Sequence, residues 1–443
     1  MCNKLSCAIF LDSDSNANHA RFDIFSAEPI SLAQETDINN TDYDIYDAKQ
    51  LETSIRAFAD NPDNKYLQCL PKQSSYKQLP FTNGLIGFCS YTFGEKLQLK
   101  KGKDSPRQTS VDTDFPCFFV AHYTWSYIFD HQAQQGYLTF SPLCSATTRN
   151  KILALVDLYS VKDLESPEHK LDLSMLKWKK NQSFNTYQQQ FTKIQQYINN
   201  GDCYQVNLTQ RFEAESDLNA IDLYFDTREK TQTPYSCLIC FNKSQNLLSF
   251  SPEQFISIKN RVIESKPIKG TIANNGNSEN LDSLKNSKKN QAENVMIVDL
   301  IRNDLGQVCQ PSSIHVPELF KVESYNNVHH LVSHIKGTLK KDVTELEAFF
   351  ACFPGGSITG APKIRSMEII NELEINSRSA YCGSVFYLNQ NGNFDSNILI
   401  RTVVKDGKQL FCWAGGGIVA DSEVLDEYQE SLTKVANITG ILK

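Results

Sequence analysis

No apolar run in the 443 residues reaches the roughly 18 needed to cross a bilayer. The first apolar stretch ends at Asp12, too early for a secretory leader. Positive charge is not in excess: 44 Lys and Arg stand against 51 Asp and Glu, a net −7, which offers nucleic acid or an anionic membrane surface no broad basic field. The 13 cysteines follow no disulfide-framework spacing, and an odd, scattered set points to reduced thiols and a cytoplasmic protein. One CxxC occurs, Cys237 to Cys240, inside a β-like run where positions three apart face opposite ways; no second CxxC accompanies it, which argues against zinc or redox chemistry. No internal repeat is visible, and no P-loop spacing.

What the chain has is the composition of a globular protein, with 40% hydrophobic and 21% charged residues. Residues 1–165 read as mixed strand and loop. Strands are expected at Arg21 to Ile24 and Gly84 to Tyr91. The aromatic run Phe115 to Phe129 predicts strand, with Gly136 to Phe140 as hairpin partner. The polar segment from Ser160 to Asn181 reads as a linker. From 181 to 443 helices and strands alternate. Tyr187, Phe191, Ile194 and Ile198 predict a helix over Asn185 to Asn199, and helices are also expected at Glu279 to Gly306, Glu345 to Cys352, Ile364 to Leu373 and Ser422 to Ile438. Strands are expected at Ser384 to Leu388, Ile398 to Val404 and Leu410 to Trp413.

One stretch stands out for chemistry, Ser265-Lys266-Pro267-Ile268-Lys269-Gly270-Thr271. Pro267 fixes one backbone angle and Gly270 frees another, giving the loop a defined shape. Lys269, between Ile268 and Gly270, is placed to be partly desolvated, and desolvation lowers an amine's pKa toward the nucleophilic neutral form. Four acids stand out by position: Glu253 at a strand end, Glu293 in a helix, and Glu427 and Glu430 three apart on the last helix, hence on one face. Carboxylates from two helices plus water suit Mg²⁺, although spacing alone does not pair them. Two glycine-rich stretches offer backbone donors, Pro354 to Lys363 (with Thr359) leading into a helix and Ala414 to Ile418 (with Gly415, Gly416 and Gly417) after a strand. Arg401, at the expected end of a strand, is placed to clamp a carboxylate. His330 and His334 have a His-x3-His spacing, but the flanking residues do not decide between helix and strand; His330 stands as a polar or proton-handling group.

These segments together resemble the chorismate-utilising enzymes over nearly the whole chain, most densely from Asn181 onward. The most specific stretches are Gly201 to Leu208, Pro267 to Thr271, Ile297 to Asp304, Phe353 to Lys363 and Ala414 to Asp421. The resemblance implies an α+β fold, a large α/β/α sandwich with two antiparallel sheets face to face and helices outside. Anthranilate-forming members look like Pro-Ile-Ala-Gly-Thr at the loop where this chain has Lys269. Water-adding members carry a lysine where it has Gln205. The pattern resembles the branch that aminates chorismate at C4, making 4-amino-4-deoxychorismate for para-aminobenzoate and folate synthesis. Lys269 is then implied as nucleophile and Glu253 as acid. Mg²⁺ is implied on Glu293 and Glu430 with Glu427 beside them. Gly270, Thr271, His330, Thr359, Tyr381, Arg401 and Gly415 to Gly417 are implied at the substrate. A glutamine amidotransferase subunit is implied as ammonia donor, and L-tryptophan as an occupant of a pocket formed by Ser13, Arg21, Phe22, Pro234, Tyr235 and Ser236. Two alternatives stay open: an anthranilate-forming lyase, and a non-catalytic amino-acid-binding regulatory subunit.

Overall fold

The computed structural model describes residues 4–13, 21–35, 79–99, 115–160, 176–273, 278–324 and 328–441. Most of the expected linker lies outside them. Two sheets dominate, and every pairing among the described residues is antiparallel. The first has 11 strands. Its path runs Gly360–Ala361, Gln205–Glu215, Gln409–Ile418, Thr402–Asp406, Gln245–Ser251, Tyr235–Cys240, Ala8–Asp12, Phe22–Ser26, Trp125–Asp130 and Gln135–Phe140, with Lys179–Lys180 beside Gln205–Glu215. The second has 10. Its path runs Ile268–Ala273, Val328–Thr338, Val262–Ser265, Gln254–Lys259, Phe394–Asn397, Ser384–Asn389, Gly84–Cys89, Phe118–Tyr123 and Ser31–Glu35, with His315–Ser324 on Val328–Thr338. Residues before 141 and after 181 thus share both sheets.

Period-two alternation explains the layering. On the first sheet Leu247, Val404, Phe411 and Trp413 join one large core, which also holds Ile86, Phe119, Phe386 and Phe394 of the second sheet. Their neighbours Leu248, Val403, Leu410 and Cys412 point the other way, into a second core closed by the helices Ala220–Thr231 and Val424–Thr439 through Tyr224, Leu432 and Val435. Helix Lys288–Val308 lies against Val328–Thr338 and Ile268–Ala273.

Several expectations hold closely. The helices Phe184–Asn199 and Glu345–Cys352 and the hairpin Trp125–Asp130 with Gln135–Phe140 are present. The segment Glu279 to Gly306 is two helices, Ser278–Asn286 and Lys288–Val308, separated at Ser287, whose hydroxyl accepts from the Asn290 amide as an N-cap. The expected strand Ile398 to Val404 is displaced: strands occupy Phe394–Asn397 and Thr402–Asp406, and Arg401 sits between them with φ +52°. The glycines 415–417 lie inside the strand Gln409–Ile418 rather than after it, because the partner Gln205–Glu215 pairs through to Val206.

Candidate active site

Lys269 is aimed by a β-bulge. Ile268 stands opposite Val332 but Thr271 opposite His330, so the lysine strand carries one residue more than its partner between those pairs. Gly270 takes φ +84°, and a Cβ there would lie 2.8 Å from the Asn290 amide nitrogen. Lys269 is half-buried, and withdrawal from water holds its amine below the ordinary lysine value. Glu293 opposes that shift, Lys434 adds to it, and Glu253 and Glu430 oppose it. The lysine therefore lies within electrostatic reach of three of the four predicted acids.

Glu253 lies between the strands Gln245–Ser251 and Gln254–Lys259 and is buried, 7% exposed. Burial raises its carboxyl to about 7, against the pull of Lys269, the Ser357 hydroxyl, the Ile268 amide and Lys434. A buried acid that still holds its proton near neutral pH can give it to a leaving group. Arg401 faces the same acid. Its guanidinium is lowered by burial and supported by Glu253. His330 is held to about 4, first by burial and then by Arg401, so it is neutral.

The helix Val424–Thr439 brings Glu427 and Glu430 over Gly416. A Cβ on that glycine would lie 3.0 Å from Glu427 Oε2 and 3.6 Å from Glu430 Oε1. Glu427 accepts from the Ser422 hydroxyl at 2.7 Å. Glu430 pairs with Lys434 at 2.7 Å, and the Lys434 amine also donates to Gly415 O at 2.9 Å. Lys434 was not anticipated, although it lies four residues after Glu430 on the same helical face. Glu293, also half-buried, reaches the cluster from helix Lys288–Val308. No group of three His, Cys, Asp or Glu in metal-ligand geometry occurs among the described residues. Two carboxylates converging on Lys269 from separate helices nevertheless fit a hydrated Mg²⁺, an ion that takes few protein ligands.

The remaining predicted residues are placed differently. The Thr359 hydroxyl donates to Gly355 O at 3.0 Å and holds the glycine-rich loop rather than facing outward. Tyr381 is packed in the core with its ring stacked on Trp413, centroids 6.4 Å apart. Gly415 and Gly417 permit close strand approach. A Cβ at Gly415 would lie 2.1 Å from Leu208 O, and one at Gly417 2.7 Å from Gln205 Nε2. The Oε1 of Gln205, itself fully buried, has no hydrogen-bond partner. The side chain of Thr271 lies outside the described residues. The histidines 330 and 334 are on a strand, about 13 Å apart along it, too far to share an ion; His334 pairs with Glu264 at 3.1 Å. Ser357, legible in the sequence only as part of a loop, lines a small cavity with the acid and draws its pKa down.

Elsewhere a cavity of about 290 Å³ opens where the N-terminal strands meet Tyr235–Cys240. Ser13, Arg21, Phe22, Pro234, Tyr235 and Ser236 all line it. Its charges are largely committed: Arg21 pairs with Asp130 at 2.9 Å, and Arg228 holds Asp12 through a 2.7 Å bond from Nη2 to Oδ1. Asp395, raised to about 6 by burial, accepts from Gln254 at 2.8 Å.

An acid, a depressed lysine and a carboxylate pair within electrostatic reach of that lysine, in a two-sheet sandwich, are the equipment of an enzyme that handles an anionic substrate. The chain belongs to the chorismate binding enzyme family, which matches residues 26–440. Within that family it is similar to aminodeoxychorismate synthase component 1 of Escherichia coli, 38% identical over 432 residues covering 95% of this chain and 89% of that one. The same component of Klebsiella aerogenes is 37% identical over 428 residues, 95% of this chain and 90% of that one. Among solved structures, anthranilate synthase component I from Streptococcus pneumoniae superposes with TM-score 0.79 at 28% identity, covering 95% of this chain and 92% of that one.

Proposed function

We propose that the chain aminates chorismate at C4, the activity that the name aminodeoxychorismate synthase component 1 gives its relatives, and so serves para-aminobenzoate and folate synthesis. The observation that carries this reading is the lysine amine on the bulge beside a buried acid held near pH 7. Lys269 is what separates the loop from the alanine version of anthranilate-forming relatives.

In this reading Arg401 and the backbone donors around Gly416 hold the substrate's carboxylates. The neutral Lys269 amine attacks C2, both ring double bonds shift (C1=C2 to C1=C6 and C5=C6 to C4=C5), and the C4–O bond breaks. Glu253 gives its proton to the departing oxygen, which leaves as water, because hydroxide is a poor leaving group. Ammonia then bonds to C4, both double bonds shift back and the lysine leaves C2 with its bonding pair as a neutral amine; the proton lost by the incoming nitrogen returns to Glu253. Glu293 and Glu430, with Glu427 beside them, would hold Mg²⁺. When bound, the ion supplies positive charge that neutralises a substrate carboxylate and helps keep the amine unprotonated. Lys434 orients Glu430 and adds positive charge near both Glu253 and Lys269.

Ammonia would come from a glutamine amidotransferase subunit, in keeping with the "component 1" of the relatives' names. The cavity at Tyr235 has the size and mixed lining for an amino acid such as L-tryptophan. Among the described residues no helix is long and apolar enough to cross a membrane, and the 11 cysteines form no disulfide, which suits a reducing, cytoplasmic compartment. The test is product analysis of the isolated chain with chorismate, Mg²⁺ and ammonium salt at alkaline pH, where NH₃ is abundant. Aminodeoxychorismate is expected. Fluorescent anthranilate would overturn the reading in favour of the lyase, and no consumption of chorismate would favour a regulatory subunit.

A further inference from the structure

Behind the glycine-rich loop lies an ion pair that the chemistry above does not use. Arg378 is fully buried and Glu374, the C-cap of helix Lys363–Leu373, is 5% exposed. Arg378 Nε donates to Glu374 Oε2 at 2.9 Å and Nη2 to Oε1 at 2.7 Å. Its other donors leave the pair: Nη1 reaches Ile358 O at 2.8 Å and Nη2 reaches Asn207 O at 3.0 Å. Glu374 Oε1 in turn accepts from the Thr209 amide at 3.0 Å and hydroxyl at 2.8 Å. The Tyr91 ring lies 4.7 Å from the guanidinium carbon. One pair thus ties the loop, at Ile358, to the strand Gln205–Glu215 at two points, and those points stand opposite Gly417 and Gly415. The ties continue toward the acid, since the Asn207 side-chain amide donates to Ser357 O at 3.2 Å, and Ser357 lines one small cavity with Glu253, whose pKa its hydroxyl draws down.

A buried ion pair is a poor stability device, because desolvation of both charges offsets most of their attraction. A planar fork of directed donors is instead suited to fixing geometry, and lysine cannot reproduce it. We infer that the buried Arg378–Glu374 pair is a positioning element for the reaction, locking the glycine-rich loop onto strand Gln205–Glu215 so that Ser357 stays beside Glu253. The inference rests on the reaction proposed above.

The experiment measures kcat and KM for chorismate against pH, with ammonia and Mg²⁺, in wild type, Arg378→Lys, Ser357→Ala and the double variant. Glu253 acts protonated, so activity falls as pH rises through its pKa. The charged groups that act on it, Lys269, Lys434 and Arg401, are kept in every variant. Losing the Ser357 hydroxyl raises the acid's pKa, which moves the descending limb upward by about half a pH unit. Arg378→Lys is expected to move the limb as Ser357→Ala does, with the double variant moving it no further. It should lower kcat roughly thirtyfold while KM changes less than about threefold. A purely structural pair would lower activity equally at every pH. An unmoved limb in folded Arg378→Lys, or additive shifts in the double variant, overturns the inference. Should Arg378→Lys not fold, Thr209→Val, which removes one donor to Glu374, must move the limb the same way by less; an unmoved limb there overturns it too. Inactive wild type would sink the proposed reaction instead, so the two failures are distinct.

Discussion

The charged cluster around Lys269 and the cavity at Tyr235 are built from the same two sheets and differ in what is done with charge. Around Lys269, charges are gathered without full mutual neutralisation: an acid at about 7, an amine held low, and two helix carboxylates. The backbone there is irregular, with a bulge at Lys269 and positive φ at Gly270 and Arg401. In the cavity at Tyr235, Asp12 and Arg21 are each spent on a partner, and the walls come from paired strands and the segments that flank them. Uncompensated, partly dry charge is a reactive arrangement; compensated charge leaves a wall fitted for binding. The two meet at adjacent residues, Glu253 facing the chemistry and Gln254 lining the other cavity.

Glu253→Gln would break the reactive side most severely. A lost general acid is expected to lower kcat by about 10² to 10⁴. The same change should stabilise the fold. The folded carboxyl lies at about 7 against an ordinary value of 4.5, so its contribution to stability is full below pH 4.5 and lost as pH rises through 7. The variant should therefore melt above wild type at pH 8, with about 3 kcal/mol as the ceiling, and match it below pH 4.5.

Lys269→Ala should reduce aminodeoxychorismate formation by about a hundredfold. Mass spectrometry of wild type with chorismate and Mg²⁺ but no ammonia should find chorismate minus one water on the peptide holding Lys269, and none in the variant. An adduct on another peptide would remove Lys269 as nucleophile. Glu430→Gln and Glu293→Gln should each raise the Mg²⁺ concentration for half-maximal activity by roughly tenfold or more, and weaken Mn²⁺ binding followed by paramagnetic resonance. Normal turnover of either at limiting Mg²⁺ would exclude it as a ligand.

The smallest effect sharpens the contrast. Tyr235→Ala should change ammonia-dependent kcat by less than about twofold while weakening tryptophan binding measured by calorimetry. A large fall in kcat with unchanged tryptophan binding would erase the distinction between the two regions.

Local pattern carried much of the fold. Tyr187, Phe191 and Ile194 are buried on one face of the helix their spacing predicts, and Thr344 with Glu347 closes a capping box at the start of Glu345–Cys352. The acids and the lysine were legible because their motifs are contiguous. Lys434 was missed because a helical lysine looks the same whether it faces solvent or Glu430. Packing gives Tyr381 and Thr359, both implied at the substrate, partners the motifs do not show: the Tyr381 ring stacks on Trp413 and the Thr359 hydroxyl donates to Gly355 O.

The sequence by itself determined the elements and the kinds of side chain available for catalysis, since periodicity, caps and turn residues act within a few positions along the chain. Only the tertiary structure decided their chemical state. Glu253 and Lys269 are 16 positions apart, and Glu430 is more than 150 further on; strand pairing and helix packing bring them within electrostatic reach of one another. A pKa depends on distance and on exclusion of water, and both are fixed by packing between residues far apart in the chain.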